Sequence, residues 1–169
     1  MTRLSKTSGQ LAALAELHHL LQGHGLDYWL FGGWAVDFHA GRVTREHGDL
    51  DVAVWWHDRD RVAALLEDQA WEHTPEAGED GYTCYERGAV RLEVAFLARD
   101  DHGRVYTPLG DGRAAGPDES CGDDAVELLG VEARVIGRAA LISDKSVVRE
   151  DPSTSARVRA DLLSLARRR

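Results

Sequence analysis

The sequence predicts an α+β (α/β) domain, with a mixed sheet of about five strands flanked by helices and a C-terminal helical pair. Three observations predict it. Short apolar runs at 28–31, 52–55, 82–85, 90–97 and 131–136 alternate with segments whose apolar residues recur every three or four positions, the periods of strands and of half-buried helices. The runs 82–85 and 90–97 flank Arg87-Gly88, a hairpin signal. The last part of the chain, 138–149 and 152–168, reads as two helices, with Pro152 suited to a first turn and arginines to a C-terminal end. At 169 residues, 43% hydrophobic and 29% charged, the chain suits one folded domain with a real core.

Taken in order, Ser8 is placed to cap a first helix whose stripe is Leu11, Leu14, Leu17, Leu20 and Leu21, ended by Gly23 and Gly25. A strand follows at 28–31 and stops at Gly32-Gly33. Trp34, Ala35, Phe38 and Ala40 then form one or two helical turns, a basic loop follows, and a second strand runs through Val54. Asp58 or Asp60 starts a helix with Val62, Leu65 and Leu66 facing inward. A strand at 71–74 and a polar turn at 75–81 lead to the hairpin. Residues 100–124 are rich in Gly, Asp and Pro around a strand-like 104–107, and read as a hairpin and then a long loop, a wall or lid over a substrate.

The chemistry concentrates in residues 28–56. Gly32-Gly33 lets the backbone take positive φ and approach a ligand closely, and the helix start just beyond it offers free N–H groups to an anion such as a phosphate. Asp49 and Asp51 lie two residues apart on a strand, so their carboxylates project from one face about 6.7 Å apart along the chain. Their repulsion is most naturally offset by a divalent cation, and Mg²⁺ takes one or two protein carboxylates together with phosphate oxygens. In the hairpin strand, Glu93 is a carboxylate in an otherwise apolar run, a place where charge needs a partner. A salt bridge to Arg91 or Arg87 is the plain structural alternative. Arg45 has the planar fork that recognises phosphate oxygens; His47 buttresses the loop, and Asp37 reads as a helix-to-loop tether rather than a ligand.

The run GGWAVDFHAGRVTREHGDLDVAV resembles the DNA-polymerase-β-like nucleotidyltransferase superfamily, and within it the small antibiotic nucleotidyltransferases of the aminoglycoside 2″-O- and lincosamide types. Gly33-Trp34 replaces the superfamily's usual Gly-Ser, as it does in the antibiotic-modifying branch. The resemblance implies a nucleotidyltransferase core over 1–110, with a loop, strand and C-terminal helices over 111–169 completing the substrate site. It implies Mg²⁺-dependent transfer of AMP from ATP, the co-substrate, to a hydroxyl of a small molecule, an aminoglycoside or lincosamide antibiotic. Asp49 and Asp51 would hold the metal, two ions being expected, and Glu93 matches a third carboxylate, either metal ligand or general base. Gly32, Gly33, Arg45 and Lys145 would bind the nucleotide; a solvated surface role is the alternative for Lys145.

Charge narrows the partners. With 29 acidic against 20 Lys and Arg residues, a net charge of −9, the chain is unsuited to nucleic acid and suited to a cationic small acceptor. The basic exception is its Arg167-Arg168-Arg169 end. A non-catalytic or protein-modifying nucleotidyltransferase-like antitoxin module is the alternative, disfavoured by the loop and helices beyond the core. No apolar run approaches the ~20 residues that cross a bilayer, so no membrane partner and a cytoplasmic location are expected. Cys84 and Cys121 lack metal-ligand spacing and read as free thiols. Monomer and homodimer are both compatible with the sequence.

Overall fold

A computed structural model describes residues 3–76, 81–110, 112–115, 121–146 and 152–166. Helix α1 (Arg3–Gly23) begins well before Ser8. Arg, Leu and Lys in its first turns are strong helix formers, so the helix runs through the serine instead of starting at it. Its end is as the glycines predict: Gly25 takes φ +65°, and the Leu26 N–H donates to the Leu21 carbonyl at 2.9 Å, a Schellman-type closure. Leu14, Leu17 and Leu21 are buried beneath it.

Strand β1 (Tyr28–Phe31), helix α2 (Gly32–Ala40) and strand β2 (Leu50–Trp55) follow. After a short 3₁₀ turn come α3 (Arg59–Asp68), β3 (Glu72–His73), β4 (Tyr82–Arg87) and β5 (Val90–Arg99). Five strands stand in the order β1-β2-β5-β4-β3, with β2 and β5 parallel and the other neighbours antiparallel. Two more, β6 (Val105–Leu109) and β7 (Gly112–Ala115), extend the sheet from β5, so the sheet has seven strands where about five were expected. Of the expected turn at 75–81 and loop at 100–124, residues 77–80, 111 and 116–120 lie outside the described residues.

A separate hairpin, β8 (Ala125–Leu128) with β9 (Val131–Arg134), lies beside β1 through the Leu30–Val135 bridge. β8 lies just past the stretch read as loop, in residues to which the sequence reading assigned no element. Its turn is Leu129-Gly130, both at positive φ (52° and 78°), and leucine stands where Asn or Asp would have signalled the tight turn. Helices α4 (Arg138–Lys145) and α5 (Pro152–Ala166) pack on each other and on α2. Of the expected helices, residues 147–149 and 167–168 lie outside the described residues.

One face of the central strands, Leu30, Leu50, Val52, Val54, Leu92 and Val94, is buried. On that face Tyr28 shares a 2.8 Å hydrogen bond with His18 of α1. The opposite face carries the residues of interest. There Trp29 and Trp55 pack edge to face, with Arg134 over Trp29 and Arg99 over Trp55. Cys84 and Cys121 are not joined in a disulfide. Among the described residues no helix is long and apolar enough to cross a membrane.

Candidate active site

Gly32 joins β1 to α2 at φ +66°, and a Cβ there would lie 1.9 Å from Asp51 Oδ2. At Gly33 a Cβ would meet His47 Nδ1 at 2.4 Å and Arg45 Nη2 at 2.7 Å. The two glycines therefore let the start of α2 close onto both the acidic strand and the basic loop. No other residue fits at Gly32 without moving the carboxylate.

The parallel register of β2 and β5 pairs Asp51 with Glu93. Paired residues project from the same face, one strand spacing or about 4.8 Å apart, so Glu93 stands beside the Asp49/Asp51 pair. The electrostatics register this crowding. Burial, then the charges of Asp49 and Glu93, push the Asp51 carboxyl up to about 8, against the opposing pull of Lys145 and Arg45. The arginines proposed as salt-bridge partners for Glu93 are engaged by other acids: Arg91 with Glu76 and Glu86, Arg87 with Glu16.

The loop between α2 and β2 is fixed by Asp37, which is fully buried. One carboxylate oxygen accepts from the Thr44 N–H (3.1 Å) and from the Thr44 hydroxyl; the other lies 2.6 Å from His47 Nε2. Trp34 packs on the His47 ring at 4.8 Å, and Gln10 bridges the two, accepting from Trp34 Nε1 and donating to the His47 carbonyl. Asp37 is thus a tether and His47 a buttress, as their sequence positions imply.

Arg45 and Lys145 meet at a residue the sequence did not single out. Arg45 Nε and Nη2 donate to the two carboxylate oxygens of Asp161, at 3.1 and 3.2 Å, while Lys145 Nζ lies 2.8 Å from Asp161 Oδ2. Lys145 is buried, so the solvated alternative does not hold. The bidentate edge of Arg45, read as a phosphate fork, is taken by a protein carboxylate; Nη1 reaches the Glu46 carbonyl at 3.2 Å. Asp161 falls on the inward stripe of α5 with Val158 and Leu165, and an acid on an apolar stripe is the signal that could have found it.

Among the described residues no three His, Cys, Asp or Glu side chains converge as a ready-made metal cage. Mg²⁺ does not need one, because it keeps waters and substrate oxygens beside one or two carboxylates. Asp49 and Glu93 crowding on Asp51 fit such a cation, whose charge would relieve their repulsion.

A profile for aminoglycoside-2″-adenylyltransferase matches residues 13–135, the larger part of the chain and all of this site except Gln10, Lys145 and Asp161. The chain belongs to that family. The stretch matched in a 2″-aminoglycoside nucleotidyltransferase of Klebsiella pneumoniae is 37% identical over 54 residues, covering 30% of each chain. A lincosamide resistance protein of Staphylococcus haemolyticus is 44% identical over 41 residues, 24% of this chain and 26% of its own length. The chain thus aligns with less than a third of the curated relatives it matches. In the solved structures the likeness runs almost end to end. The lincosamide antibiotic adenylyltransferase LnuA with lincomycin bound superposes with a TM-score of 0.69 at 19% identity, covering 90% of this chain and 93% of that one. The antibiotic-resistance factor ANT(2″)-Ia gives 0.69 at 23% identity, covering 95% and 85%. The fold of this family member is therefore a nucleotidyltransferase fold.

Proposed function

We propose that the chain is a Mg²⁺-dependent adenylyltransferase that moves AMP from ATP to a hydroxyl of an aminoglycoside, with a lincosamide as the second acceptor class. The observation that carries the reading is the in-register pairing of Asp51 with Glu93 beside Asp49, under the Gly32-Gly33 turn. Family membership supports the aminoglycoside, since the matched profile is that of a 2″-adenylyltransferase.

In this reading Asp49 and Asp51 hold the metal. When bound, the cation supplies charge neutralisation along the triphosphate and at the attacking oxygen. The glycine turn and the first N–H groups of α2 receive phosphate oxygens, and Arg45 with Lys145 contributes positive charge beside them. Glu93 accepts the proton of the acceptor hydroxyl as its oxygen attacks the α-phosphorus. The bond to pyrophosphate breaks, and the leaving group carries off the charge. A hydroxyl is a weak nucleophile at neutral pH, so a positioned base contributes about 10²- to 10⁴-fold.

The test is incubation with ATP, Mg²⁺ and separate aminoglycosides and lincosamides, with AMP adducts read by mass. A chelator-sensitive adduct on one of them is the expected result. Adenylylation of a protein instead, or no adduct on any of the antibiotics, overturns the reading.

A further inference from the structure

We propose that Asp161 is a positioning residue of the nucleotide site: it gathers Arg45 and Lys145 into one rigid cationic pair whose surplus charge faces the triphosphate. The inference rests on the adenylyltransferase reading. Asp161 is 1% exposed on α5, Lys145 comes from α4, and Arg45 comes from the loop that enters β2. Three separate parts of the chain therefore meet on one carboxylate.

The geometry is specific. Both oxygens of Asp161 are used by Arg45, and Oδ2 is shared with Lys145 at 2.8 Å. Two cations and one anion leave a net positive charge, and both cations act electrostatically on Asp51. A cationic pair next to crowded carboxylates is suited to a polyanion that carries its own metal, which is the chemistry of a nucleoside triphosphate. Without Asp161, Arg45 and Lys145 would repel each other, and each long side chain would regain rotamer freedom. Beside the bonds from Nε and Nη2 to Asp161 and from Nη1 to the Glu46 carbonyl, Arg45 keeps one further donor hydrogen on each of Nη1 and Nη2, so the clamp does not exhaust its capacity for phosphate.

Bulk charge and positioning make opposite predictions, which decides the matter. Asp161→Asn raises the local positive charge, so if charge alone mattered ATP would bind more tightly. If Asp161 positions the pair, ATP·Mg²⁺ affinity, measured directly by calorimetry, falls about tenfold or more, equivalent to ~1.4 kcal/mol. In turnover the KM for ATP rises and the KM for the acceptor does not. Asp161→Glu keeps the charge and displaces it by one methylene; weakened ATP binding in this variant at parent-like thermal stability is also expected, and it serves should the Asn variant not fold. Parent-like or tighter ATP binding in the folded variants overturns the inference while leaving the adenylyltransferase reading intact. A parent chain that binds no ATP·Mg²⁺ overturns both.

Discussion

Asp51 carries the strongest consequence at the scale of single residues. Its carboxyl is raised in the fold from an ordinary 3.8 to about 8 by burial and by Asp49 and Glu93, so the folded chain holds a proton there that the unfolded chain releases. Stability from this group is complete below about pH 4 and is lost as pH climbs towards 8. In chelator the thermal midpoint of the parent should therefore fall more steeply between about pH 5 and pH 8 than that of Asp51→Asn. The difference is on the order of a few kcal/mol at the upper end, since a tenfold change in proton affinity is about 1.4 kcal/mol. Identical slopes in the two proteins would remove the electrostatic account of the acidic cluster. Glu93 allows a second measurement. Glu93→Gln should lower the single-turnover rate by about 10²-fold or more while ATP·Mg²⁺ binding stays near that of the parent. If raising Mg²⁺ restores the rate, Glu93 acts as a metal ligand; if it does not, Glu93 is the base.

At the scale of elements, the loop between α2 and β2 is held by one buried carboxylate. Asp37→Ala would strip acceptors from the part-buried Thr44 N–H and hydroxyl and from the buried His47, and a buried group left without its partner costs about 1–3 kcal/mol. Denaturant unfolding should record a loss of several kcal/mol, with ATP binding weakened too because Arg45 rides on the same loop. An Asp37→Ala variant within about 0.5 kcal/mol of the parent would mean the loop is fixed by something else. This loop also marks how far the sequence could be read. The strand, glycine turn, short helix and acidic strand at 28–56 were legible because local periods and turn residues agree there, and Asp37, His47, Asp49, Asp51 and Glu93 were all singled out. Asp161 was not: its meaning lies in Arg45, more than a hundred positions away, and in Lys145 on another helix, which no local pattern contains. β8 escaped because its turn is built on Leu129 at positive φ, without the residues that announce such turns.

For the whole molecule, the excess of 29 acidic over 20 basic residues sets a long-range field. A polycationic aminoglycoside should be drawn in by that field and should bind about tenfold or more weakly as salt is raised well beyond physiological strength, where the Debye length is already about 8 Å. A lincosamide, carrying far less charge, should respond little. Titrations of both at two ionic strengths check this, and a salt-indifferent aminoglycoside would refute it. The parallel pairing of β2 with β5 has a further consequence, in time rather than in space. A parallel pair needs a crossover, here made of α3, β3 and β4, so neither early helix formation nor hairpin closure can bring Asp51 to Glu93. The acids become neighbours only as the crossover shuts, and their mutual repulsion opposes that last closure. Mg²⁺ bound across them should then slow unfolding more than it hastens folding, a difference that stopped-flow refolding in magnesium or chelator would reveal. On a ribosome, a growing chain possesses no such cluster until β5 has emerged and found its place beside β2.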